Sequence, residues 1–147
     1  MPAMTEVAFH FNAPDKLAYT CRVARKVIRS GARLWVVAPL DIVQKLDALM
    51  WEMGPRDFVA HCTADAAPQL LTHSPVVLAS NVIESTHQSV LLNLHTHVPQ
   101  GFDQFERLIE VVSTHDDADR LAARQRWREY TALGYPLIRH DLALKAD

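Results

Sequence analysis

The sequence predicts an α/β fold, a single domain over residues 1–147 with a mainly parallel sheet covered by helices on both faces. Short, nearly continuous apolar runs recur along the chain, among them RLWVVA at 33–38, PVVLAS at 75–80 and SVLLNL at 89–94. Strands buried on both faces read this way, whereas half-exposed strands alternate. Between the runs lie segments whose apolar residues return every three or four positions, the period of a helix with one buried face. A chain of 147 residues, 49% hydrophobic, is long enough to bury one ordinary core and too short for two.

The elements follow in order. Residues 7–11 form an apolar and aromatic first strand, closed by Asn12, Pro14 and Asp15, which start a helix. In that helix, 16–29, Leu17, Cys21, Ala24, Val27 and Ile28 share a face, and Ser30-Gly31 supplies the stop. Residues 33–38 are a buried strand, and Asp41 after Pro39 is expected to cap a second helix running to Trp51. Residues 58–62 and 76–79 are further strands, separated by an Ala-rich segment expected to be a surface loop. SVLLNL and RLIEVV supply two more. The last helix is expected to begin at Thr114, with that hydroxyl on the Asp117 amide and Asp116, Asp117 and Asp119 complementing the helix dipole, and to end near Gly134, before Pro136.

Several functions lack their motifs. No G-x-x-x-x-G-K-[ST] or G-x-G-x-x-G loop is present, and the turn after the first strand, FNAPDKL, has no glycines to admit a pyrophosphate. There is no G-x-S-x-G elbow. His61 and Cys62 are adjacent, but neighbours on a strand point to opposite faces and do not form a nucleophile–base pair. His95 and His97 would share a strand face and are the candidate metal ligands, with His61, His87 or His115 needed to complete a set; no metal and no cofactor is expected. No apolar run approaches the ~20 residues that cross a bilayer, and no secretory signal precedes the first strand, so the expectation is a cytoplasmic protein without membrane contact and with free thiols at Cys21 and Cys62.

The segment RLAARQRWREYTALGYPL, 120–137, concentrates four arginines and a tryptophan within nine residues of a chain whose net charge is −2. At about 100° per residue Arg120, Arg124 and Arg128 form one stripe with Trp127 at its edge, while Ala122, Ala123, Tyr130 and Leu133 lie on the arc facing the sheet. Arg126 falls inside that arc. One reading is a solvated face whose charges pair with Glu129, Asp116 or Asp117. The other is a small site for an acidic, aromatic partner, where guanidinium forks hold a carboxylate and the indole flanks an apolar recess. A sequence pI near 6.4 argues against a broad nucleic-acid footprint.

Two segments together resemble the chi subunit of bacterial DNA polymerase III, a clamp-loader accessory family. They are KLDALMWEMGPRDFVAHC, 45–62, and RLAARQRWREYTALGYPL; the RSGARLWVVA passage is also similar, and Ala60 stands where the family commonly has proline. The resemblance implies a Rossmann-like sheet without a phosphate-binding loop, no catalysis, and two protein partners in DNA replication. One is the C-terminal tail of single-stranded DNA-binding protein, acidic and ending in phenylalanine, on Arg124 with Arg120, Trp127, Arg128 and Tyr135. The other is the psi subunit, on Trp51 and Phe58, with DNA reached only indirectly. The alternatives are an α/β enzyme or nucleotide-binding domain, a metal-binding protein using His95 and His97, and direct binding of single-stranded DNA.

Overall fold

The computed structural model describes residues 4–53, 59–82 and 89–144. The elements run β1 (Glu6–Ala13), α1 (Lys16–Arg29), β2 (Leu34–Val37), α2 (Leu40–Trp51), β3 (His61–Thr63), α3 (Pro68–His73), β4 (Val76–Ala79), β5 (Val90–Asn93), β6 (Arg107–Ser113), α4 (Asp117–Ala132) and β7 (Leu137–Asp141). A 3-10 turn, Phe102–Gln104, precedes β6. The strands form one sheet in the order β3-β4-β2-β5-β6-β1-β7, and all its pairings are parallel.

Helices cover both faces of the sheet, as predicted. Successive strand residues face opposite ways, so Leu34 and Val36 join Leu78, Leu92, Ile109 and Val111 beneath α1 and α2, while Trp35 and Val37 join Val77, Leu91, Leu108 and Phe9 beneath α3 and α4. All four residues of β2, β4 and β5 are buried, which explains why these strands read as nearly continuous apolar runs, broken only by Asn93.

Local signals hold where they were strongest. Asp15 caps α1, its carboxylate accepting the Leu17 and Ala18 amides at 3.1 Å, and Gly31 leaves the helix at φ 81°. Elsewhere the structure corrects the expectation. Helix α2 starts at Leu40 after Pro39 with no side-chain cap bond, and Asp41 stands in its first turn, where it complements the dipole. The expected loop between the third and fourth strands contains α3, too short for a periodic pattern but begun by Pro68, whose missing N–H costs nothing at a first helical position. The third strand is His61–Thr63 rather than 58–62. Asp116, not Thr114, caps α4, accepting the Asp119 amide at 3.1 Å. Leu133, expected on the sheet-facing arc, lies beyond the last helical residue and is exposed, because Gly134 turns the chain away at φ 88°.

The largest addition is β7. No strand was assigned beyond Pro136, yet Leu137–Asp141 pairs in parallel with β1 along Val7↔Leu137 to Phe11↔Asp141 and forms the sheet edge. Helix α4 thus leaves β6 and returns the chain to the far side of β1. Three elements, α4, β1 and β7, enclose one corner of the molecule.

Candidate functional site

That corner is positioned from below by a buried polar cluster. Arg126 is only 1% exposed; its Nε donates to Glu110 Oε1 at 3.0 Å and its Nη1 to the Thr96 carbonyl at 3.1 Å. The Tyr130 hydroxyl and Asn93 Nδ2 donate to Glu110 Oε2 at 2.6 and 3.0 Å. Burial pushes the Glu110 carboxyl above its ordinary range, while the Arg126 charge and the bonds from Tyr130 and Asn93 pull it back. Tyr130 is raised by burial first and then by the negative charge of Glu110, so its hydroxyl stays a donor. Arg126 therefore belongs to the sheet-facing arc as a paired charge, since a buried guanidinium without its carboxylate would be strongly unfavourable.

With Arg126 and Tyr130 turned inward, helical geometry directs Arg120, Arg124 and Arg128 toward the β7 edge. These three and Trp127 line a groove of about 460 Å³. Its floor is apolar, with Phe9 and Phe11 from β1, Val112 from β6 and Ala123 from α4, and Asn12 also lines it. Asn12 adopts φ 66°, beside the irregularity in β1 between His10 and Ala13, and its amide donates to Asp141 Oδ1 at 2.8 Å. Phe9 packs edge-on to Trp127 at 5.0 Å and fixes the half-buried indole as a wall.

The opposite wall is Arg139 of β7. Its guanidinium carbon lies 5.0 Å from the Phe11 ring centre and 6.0 Å from that of Trp127. Among the described residues, none of Arg120, Arg124, Arg128 and Arg139 forms an ion pair. The pairings with Glu129, Asp116 or Asp117 are not made. Asp119 is committed elsewhere, accepting Lys16 Nζ at 2.7 Å and the Ser113 amide at 2.8 Å. Four exposed cations around an aromatic floor, with no counter-charge among the described residues, suit an anion that also carries an apolar group.

Of the expected site residues, Arg120, Arg124, Trp127 and Arg128 come together. Tyr135 does not line the groove; its ring packs on Phe102 at 5.0 Å. Trp51, at the end of α2, is 60% exposed, with its ring 5.2 Å from His61. Phe58 lies outside the described residues, as does His87. His61 sits between Asp47 and the Val59 carbonyl, at 2.8 Å from each. His95 and His97 stack at 4.7 Å although β5 ends at Asn93, and no group of three or more His, Cys, Asp or Glu suited to a metal occurs among the described residues. Among the same residues no helix is long and apolar enough to cross a membrane.

Helical spacing alone does not reveal Arg139, Phe9 and Phe11 as groove residues. The available signal was the short run Leu137-Ile138 after Pro136, which reads as the start of a strand. Even so, nothing local says that this strand lies beside β1.

The C-terminal domain of Dbp5 from S. cerevisiae, in a solved complex, superposes with a TM-score of 0.55 over 95% of this chain and 90% of that one at 15% identity, a likeness of fold alone. DNA polymerase III subunit chi of Pseudomonas aeruginosa is 30% identical over 145 residues, covering 95% of this chain and 98% of the relative. The subunit of the same name from Haemophilus influenzae is 25% identical over 119 residues, covering 80% and 81%. The family model described as DNA polymerase III chi subunit, HolC, matches residues 4–138. The chain belongs to the DNA polymerase III chi-subunit family, accessory subunits of DNA replication.

Proposed function

We propose that this chain is a non-catalytic adaptor of the polymerase III holoenzyme. Its α4–β1–β7 groove takes the acidic C-terminal tail of single-stranded DNA-binding protein, and a second surface joins the clamp loader through psi. The observation that carries the reading is the set of guanidiniums of Arg120, Arg124 and Arg128, free of ion pairs among the described residues, beside Trp127 over an apolar floor. A chain-terminal carboxylate would take bidentate bonds from Arg124, and the terminal aromatic ring would displace water from Phe9, Val112 and Ala123.

Such a site closes on only a few residues. A dissociation constant in the micromolar range, about 8 kcal/mol, suffices, because simultaneous attachment elsewhere in the replisome raises the effective affinity. The exposed Trp51 indole suits the psi contact, since aromatics are enriched at the centres of protein interfaces, and Phe58 would complete it. A net charge of −2 and the small extent of the cationic groove favour reaching DNA indirectly, through a protein tail, and a replication subunit of this kind would work in the cytoplasm.

The test is titration of the chain with a short acidic peptide ending in Pro-Phe. Micromolar binding is expected, weakened by Arg124→Ala and by amidation of the peptide's last carboxylate. Equal affinity of wild type and Arg124→Ala would defeat the assignment.

A further inference from the structure

Arg139 gives the groove more positive charge than one carboxylate can use. A carboxylate presents two oxygens and is satisfied by one or two guanidinium forks. Here three guanidiniums stand along α4, with Arg120 and Arg128 about 12 Å apart along the helix axis, and a fourth faces them from the sheet edge. The parallel register sets Arg139 opposite Phe9, so both side chains rise on the α4 face. Arg139 lies over Phe11 and close to Trp127, within cation–π reach of both rings, and forms no ion pair among the described residues. It also lies just past residues 4–138, the span matched by the family model.

We infer that Arg139 makes the groove a two-anion site: it engages an acidic side chain upstream of the terminal carboxylate, so the ligand is recognised by a pair of charges rather than by its end alone. This rests on the peptide-tail reading of the groove. An extended peptide advances about 3.3 Å per residue, so an acid a few positions from the end falls within a groove of this size. The planar fork of Arg139, beside the Phe11 and Trp127 rings, suits a planar carboxylate, and lysine in its place keeps the charge while losing the fork.

The experiment titrates wild type, Arg124→Ala, Arg139→Ala and Arg139→Lys with two peptides sharing the same apolar last residue and free carboxylate. One carries aspartates upstream; in the other they are asparagines. Arg139→Ala is expected to weaken the aspartate peptide about fivefold and leave the asparagine peptide unchanged. Arg139→Lys should fall between, and Arg124→Ala should weaken both. Thermal melts confirm that each variant is folded, and Arg139 is exposed, so its truncation leaves the core intact. Equal weakening of both peptides by Arg139→Ala, or no weakening of either, overturns the two-anion site while leaving the peptide groove standing. Failure of wild type to bind either peptide overturns the groove reading itself, and this inference with it.

Discussion

Arg124 and Arg126 lie two residues apart on one helix and do opposite work. Arg126 is buried against Glu110 and ties α4 to β6 and to the Thr96 carbonyl. Arg124 is exposed, lines the groove and has no acidic partner among the described residues. A helix turns about 200° over two residues, so the same side chain type meets the sheet at one position and solvent at the other. Arginine content therefore says little about function; each guanidinium must be read by its partner. Where the partner is internal the charge holds the fold together, and where it is missing the charge is available to a ligand.

The sharpest break in this comparison is Arg126→Ala. It strands the Glu110 carboxylate in the core and should cost about 3–5 kcal/mol of stability, measured by urea unfolding, while the folded fraction keeps its affinity for an acidic tail peptide. Replacing both partners by apolar residues of similar size, as in Arg126→Met with Glu110→Leu, should recover much of that loss. Next comes Arg124→Ala, the mirror image: a loss of about 1.5–3 kcal/mol in peptide binding by calorimetry, with stability changed by less than about 0.5 kcal/mol. If Arg126→Ala weakened binding in fully folded protein, or Arg124→Ala destabilised the fold, the division between the two would fail.

Smaller effects refine it. Asp116→Ala removes the α4 cap and should lower stability by about 1 kcal/mol, leaving peptide affinity nearly unchanged because Arg124, Trp127 and Arg128 lie beyond the first turn, which Arg120 closes. Raising salt from about 0.1 to 0.5 M should weaken peptide binding roughly threefold, since the groove cations are exposed, and shift the melting temperature little, since the Arg126–Glu110 pair is shielded from ions. A melting temperature that fell as steeply as the affinity would mean that the buried pair is not sealed.

How much of this was legible in the sequence depended on distance along the chain. Helix α1 was readable from Leu17, Cys21, Ala24 and Val27 together with the Asp15 cap, because all the information lies within one segment. The Arg120, Arg124 and Arg128 stripe was readable for the same reason. Arg126 looked like a flaw in the apolar arc because its partner, Glu110, is sixteen positions away on another element. The α4 cap was misplaced by two residues among the candidates Thr114 and Asp116, a choice set by backbone dihedrals rather than composition. Strand β7 escaped notice because, as an edge strand, it is only partly buried and lacks the continuous apolar run that marked β2, β4 and β5.

The sequence by itself determined the α/β class, the buried strands and the cationic stripe beside Trp127, since backbone geometry converts local spacing directly into faces. Only the tertiary structure decided that β1 lies between β6 and β7. That order lays Phe9 and Phe11 under the stripe and stands Arg139 across from it. Apolar strands of similar composition pair almost interchangeably, so their order follows from how the whole chain packs, and no short stretch of residues records it.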